Sequence, residues 1–141
     1  MKKIVLFFVG AVLLTLTGCK KHFEGNDYSR LNGYWEIEKV LMPDGSEKDY
    51  SINPTVDYFE VKGVKGFRKK AMPQIDGTFR ANDFSEAFTI VKEGDKTVLK
   101  YVTDYAKWDE ELLTADEEQL VTKNQHNIEY HYKKSGRISL E

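Results

Sequence analysis

At 141 residues the chain has room for one domain, because domains typically run to about 100 to 150 residues. Its 21 basic and 23 acidic residues give a net charge of −2. That mild, interspersed balance excludes the strongly basic face of a nucleic-acid binder. A single cysteine excludes an intrachain disulfide, so stability has to come from packing.

The chain opens on Met1-Lys2-Lys3, a short positive stretch, followed by an apolar run from Ile4 to Leu16 interrupted only by Gly10 and Thr15. Spanning a bilayer core takes roughly 20 apolar residues, so this run is too short for a membrane helix and has the form of a secretory signal. It ends in Leu16-Thr17-Gly18-Cys19, which resembles the lipobox of bacterial lipoproteins. The resemblance implies recognition through Leu16, Thr17 and Gly18, removal of residues 1–18, and lipid attachment at Cys19 through a diacylglyceryl thioether, with the new N-terminus acylated by a fatty acid such as palmitate. Two or three acyl chains hold a protein firmly where one holds it only marginally. Loss of Lys2 and Lys3 with the leader makes the remainder two charges more acidic.

Residues 20 to about 29 are polar and without period. They are expected to form, with the lipidated cysteine, a tether over 19–30 that holds a domain spanning 31–141 off the membrane. Lys20 and Lys21 precede the scattered acids Glu24 and Asp27, a pattern that does not choose between the periplasmic and the external face.

From Leu31 onward the apolar pattern has a period of two. Phe84, Phe88 and Ile90 share one face, although Glu86 interrupts it; Thr97, Leu99 and Tyr101 alternate with Val98, Lys100 and Val102; Ile128, Tyr130 and Tyr132 alternate with Glu129, His131 and Lys133. Turn chemistry at Pro43-Asp44-Gly45-Ser46, Asp76-Gly77, Glu93-Gly94-Asp95-Lys96 and Asn124-Gln125-His126-Asn127 separates these runs. The predicted strands are 33–42, 56–62, 66–71, 77–82, 84–92, 96–104, 108–114 with 118–123, and 127–134. The best helical stretch, Asp104 to Leu113, also carries a strand-like face. Many short strands with close turns give an all-β barrel or sandwich, and the long segment 43–57 is a natural contact loop.

Leu31-Asn32-Gly33-Tyr34-Trp35-Glu36-Ile37 resembles the Gly-x-Trp opening of lipocalins and of the short lipocalin-like domains found in lipoproteins of Gram-negative bacteria. The stretch from Asp116 through Tyr132 resembles their closing hairpin. The resemblance implies a small antiparallel up-and-down β-barrel of about seven or eight strands, with Gly33 easing the chain into its first strand and Trp35 plugging the closed end. It also implies a cell-envelope location, with the outer membrane favoured. An arginine packs on this tryptophan in many lipocalins, and none is assigned to that role here.

Residues able to carry chemistry are sparse. His126 and His131 differ by five, so on one strand they face opposite ways, and His22 lies in the tether; no metal site is expected. The acidic clusters Asp109-Glu110-Glu111 and Asp116-Glu117-Glu118 are expected to be solvated edges and turns, and Arg68-Lys69-Lys70 a solvated strand or loop end. Gly63-Val64-Lys65-Gly66 has the form of a hairpin turn. No phosphate loop, Gly-x-Ser-x-Gly or His-Glu-x-x-His occurs, so neither enzymatic activity nor a cofactor is expected.

Eight Phe, eight Tyr and two Trp are the remaining signal. Most should fill the interior, and an apolar pocket would be lined by some of Trp35, Tyr58, Phe79, Phe88, Tyr101 and Tyr130. The expected function is a monomeric, membrane-anchored, non-enzymatic binding lipoprotein holding a small hydrophobic ligand. The alternative is an assembly lipoprotein that docks another envelope protein through a loop or sheet edge.

Overall fold

The computed structural model describes residues 22–49 and 55–135; Leu16, Thr17, Gly18 and Cys19 lie outside the described residues. Among the described residues, nine antiparallel strands follow a short 3₁₀ turn at Tyr28–Leu31: β1 (Gly33–Leu41), β2 (Glu47–Asp49), β3 (Val56–Lys62), β4 (Lys65–Pro73), β5 (Phe79–Glu93), β6 (Lys96–Val102), β7 (Lys107–Ala115), β8 (Gln119–Asn124) and β9 (Glu129–Lys134). Each strand from β3 to β9 pairs with the next, and β9 returns to pair with β1. Eight strands thus close an up-and-down barrel, and the extra strand β2 folds back on β1 through Val40↔Lys48. Closure leaves the wall without a free edge along most of its length.

Alternation sends Trp35 and Ile37 of β1, Phe59 and Val61 of β3, Phe88 and Ile90 of β5, Leu99 and Tyr101 of β6, Leu112 of β7, Leu120 of β8 and Tyr132 of β9 to one continuous core. Each fully buried side chain of this kind contributes about 1.5 to 3 kcal/mol. Gly66 is needed in this packing: a Cβ there would lie 2.5 Å from the Glu60 carbonyl and 2.7 Å from the Phe88 ring.

The N-terminal segment corrects the expected tether. Phe23, Tyr28 and Leu31 are buried and belong to the core, so from residue 22 on the chain closes the lower end of the barrel. The Asp27 side chain accepts from Ser29 N and starts the 3₁₀ turn. Trp35 seals this floor, its indole Nε1–H donating to the Leu31 carbonyl at 2.9 Å. The basic partner of that ring is Lys134, whose ammonium lies 4.5 Å from the ring centroid and donates to the Asn32 carbonyl. Gly33 makes the close approach possible, with φ of 121° and Lys134 Nζ standing where a Cβ would go.

Three further differences from the sequence pattern have local causes. Segments 77–82 and 84–92 merge into one long strand, β5, and a register shift between Lys69 and Ala71 of β4 absorbs the break expected between them. The stretch 104–113 is not helical but supplies β7. The segment 43–57 is partly structured, with Asp44 accepting from Ser46 N at 2.9 Å ahead of β2; residues 50–54 lie outside the described residues.

Candidate functional site

At the end of the barrel opposite Trp35's floor the inward positions change character. Asp57 of β3 stands opposite Lys70 of β4, and Arg68 of β4 stands opposite Glu86 of β5. Directly opposed residues on neighbouring strands come within about 5 Å at Cβ, so each basic residue meets an acid. Arg68 engages Glu86 through two parallel bonds, Nε to Oε1 at 3.1 Å and Nη2 to Oε2 at 3.2 Å. It also reaches across the barrel to Glu110 of β7, Nη1 to Oε2 at 3.3 Å. Lys70 pairs with Asp57.

This network is mostly removed from water. The side chains of Arg68, Glu86 and Glu110 are 12%, 19% and 7% exposed, whereas Lys70 at 55% marks the rim. The Arg68 guanidinium also lies 4.7 Å from the Tyr101 ring centroid, and that ring is stacked on Trp108 at 4.9 Å, with 3° between their planes. Cation and aromatic face attract through the ring quadrupole, more strongly when desolvated.

Burial sets the protonation behaviour. It works against the Arg68 cation, but the oxygens of Tyr101, Glu110 and Glu86 outweigh it and the guanidinium pKa is raised. For Glu110 burial wins over the favourable field of Arg68, and its carboxyl titrates above the ordinary value of 4.5. Burial likewise pushes the Tyr101 and Tyr132 hydroxyls well above 10, so both remain neutral donors.

The groups enclose a cavity of about 350 Å³ lined by Trp35, Ile37, Val40, Thr55, Asp57, Arg68, Lys70, Glu110, Tyr130 and Tyr132. The Tyr101 hydroxyl faces the Glu110 carboxyl, and the hydroxyl of Thr122 is buried without a hydrogen-bond partner, a costly state in a low-dielectric interior. Two larger grooves, of about 540 and 530 Å³, flank the N-terminal segment and Leu113–Thr114 on the outside. They lack the enclosing aromatic floor of the cup. Among the described residues no group of three or more His, Cys, Asp or Glu is arranged to hold a metal ion.

Of the aromatic residues expected at a pocket, Trp35 and Tyr130 line the cup, while Phe88 and Tyr101 fill the core beside it. Tyr58 and Phe79 do not belong there. They lie on the outer wall, where Tyr34 stacks on Phe79 at 4.0 Å and tilts against Tyr58 at 4.8 Å. The reason is register: Asp57 points inward, so its neighbour Tyr58 points out.

Two charged runs also need correcting. Arg68 and Glu110, expected to be solvated, are the center of the cup, with Glu111 nearly buried on the other face of the same strand. One available signal was Glu86, the acid that breaks the apolar face of Phe88 and Ile90, since an inward acid calls for an inward base on the adjacent strand. The expectation of an apolar pocket gives way to a polar, charged one with an aromatic base.

Among solved structures, the chain is similar to a lipocalin-like protein from Bacteroides uniformis, over 75% of this chain and 99% of that one, with a TM-score of 0.46 and 9% sequence identity. No family model and no curated protein matches the sequence. The fold assignment therefore stands on the barrel's own strand pairing, β1–β9 closure included.

Proposed function

We propose that this protein is a non-enzymatic binding lipoprotein of the outer membrane, anchored through lipid on Cys19, whose barrel mouth takes one small solute bearing polar or charged groups beside a flat apolar portion. The observation that carries the reading is the Arg68–Glu86–Glu110 network set over Trp35 in a cavity of about 350 Å³, within the range of roughly 300 to 1,000 Å³ usual for small-molecule sites. A buried ion network contributes little net stability compared with packed apolar residues of the same volume. A barrel needing only a filled center would be served as well by leucine, so the charges are best explained by recognition.

The chemistry of the cup suggests the solute. Lys70 sits at the rim and Asp57, its partner, is buried just inside it; the pair can open to meet an anionic and a cationic group, respectively. Tyr130 and Tyr132 offer hydroxyls, and Trp35 and Ile37 offer apolar surface. A zwitterion or a hydroxyl-rich ring fits this set better than a fatty chain.

The test uses full-length protein extracted from membranes in mild detergent. Mass spectrometry should find an N-terminal peptide beginning at lipid-modified Cys19, and a thermal-shift screen of zwitterions, sugars and fatty acids should raise the melting temperature with members of the first two classes only. Stabilisation by fatty acids alone, or equal responses from the wild type and an Asp57→Asn/Lys70→Met variant, would refute the polar-solute reading.

A further inference from the structure

The chain is fixed to the barrel almost as soon as it leaves the anchoring residue. His22 Nδ1 lies 3.2 Å from Glu111 Oε1, and its Nε2 lies 3.4 Å from Asp95 Oδ2 in the β5–β6 turn. Phe23 follows directly into the floor: it is buried, its carbonyl accepts from Thr97 Oγ1 at 3.3 Å, and the Lys92 ammonium lies over its ring. Only two residues, Lys20 and Lys21, separate Cys19 from His22, and the three steps from one to the other reach at most about 11 Å. This rests on the lipid-anchor reading above. A lipid on Cys19 therefore has its root within about 11 Å of the closed end, and a ten-residue spacer does not exist.

Strand pairing decides what else is at that end. The β3–β4, β5–β6 and β7–β8 turns all project there with residues 22–32. At the tip of the first, Val64 is 49% exposed between Lys62 and Lys65, a local apolar and cationic contact point. The β7–β8 turn at the same end carries Asp116, Glu117 and Glu118, so the Val64 turn is the part that meets the headgroups. The cup opens at the opposite end. Strands rise about 3.3 Å per residue and tilt about 40° in a barrel, so its rim stands on the order of 20 Å farther out.

We infer that the closed end of the barrel rests directly on the bilayer surface through the Val64 turn and the rim beside His22, so that the cup opens away from the membrane and fills from the aqueous phase. The orientation excludes lateral delivery of a lipid from the anchoring leaflet.

The test places the lipidated full-length protein in vesicles of phosphatidylethanolamine and phosphatidylglycerol. The thiol of Cys19 is consumed by the lipid, so single variants Val64→Cys, Glu117→Cys, Tyr105→Cys and Gln125→Cys each carry one site for a fluorescent label. Val64 and Glu117 are at the closed end; Tyr105 and Gln125 are at the mouth. Nitroxide-bearing headgroups should quench both closed-end labels strongly and leave both mouth labels bright. With lipid present at Cys19, equal quenching at the two ends overturns this orientation alone. An N-terminus without lipid overturns the anchor reading as well, and the same mass spectrum tells the two failures apart.

Discussion

At the floor of the barrel, Phe23, Tyr28 and Leu31 pack beneath Trp35, and the polar atoms there find partners: the indole N–H meets the Leu31 carbonyl and the Lys134 ammonium meets the Asn32 carbonyl. At the mouth, about half a strand away, Arg68 is shared between two acids, and the buried Thr122 hydroxyl has no partner. The floor is sealed and its polar atoms are paired, whereas the mouth opens to water at Lys70 and is incomplete. The floor is a packing solution whose value is stability, whereas the mouth holds charge and unmet hydrogen-bonding capacity that stability does not require. One barrel therefore separates its two tasks along its axis.

Breaking the floor should have the largest effect on folding. Trp35→Ala removes a side chain with no solvent exposure, leaves the Leu31 carbonyl without its donor and takes the ring from under Lys134. A cost of roughly 3 to 5 kcal/mol is expected, read as a lower midpoint in urea unfolding with an unchanged slope. A loss below about 0.5 kcal/mol would show that the floor is not the anchor of the fold, since that is the range of ordinary surface changes.

Breaking the mouth should cost less and in a way that can be undone. Arg68→Met leaves Glu86 and Glu110 facing each other without a cation, and removing one member of a buried pair costs about 3 kcal/mol; the partial exposure of Glu86 holds the effect below that of the floor. Replacing all three residues, Arg68→Met with Glu86→Leu and Glu110→Leu, should restore stability to the wild-type level or above while abolishing response to polar solutes. Failure of the triple variant to recover would make the network a structural element and erase the contrast between the ends.

The same division explains what was legible beforehand. Floor and wall follow from alternation and turn residues, so β1, β3 and β6 to β9 fall within a few residues of their predicted spans. Strand β2 has three residues, all exposed, and offers no pattern to find. Phe23 and Tyr28 carry no period because they serve a turn that plugs a hole, so the pattern assigns them to the spacer, and only Leu31 falls within the expected domain. The cup was hidden for a different reason: a charged residue in an alternating strand is assigned to solvent by default, which puts Arg68, Lys70 and Glu110 outside and Tyr58 inside, while Asp57 is counted with the contact loop 43–57. Only Glu86, a charge in phase with the apolar face of Phe88 and Ile90, hints that the barrel reverses that rule near its mouth.

The smallest effect is the one that reports most directly on the buried carboxyl. Burial raises the Glu110 pKa above 4.5 even with Arg68 adjacent, so between 4.5 and the raised value the folded protein holds a proton that the unfolded chain has released. By linkage, stability from this group is fully present below pH 4.5 and is lost as pH rises through the folded-state value. Glu110→Gln cannot titrate. The stability of the wild type relative to this variant should therefore fall as pH increases from 4.5 and level off once Glu110 is ionised in both states, measured as paired urea midpoints across pH 4 to 8. The constant offset from losing the Arg68 contact does not affect that slope. A difference that rises with pH instead would mean that the attraction of Arg68 outweighs burial, and that the mouth, like the floor, has its charges fully satisfied.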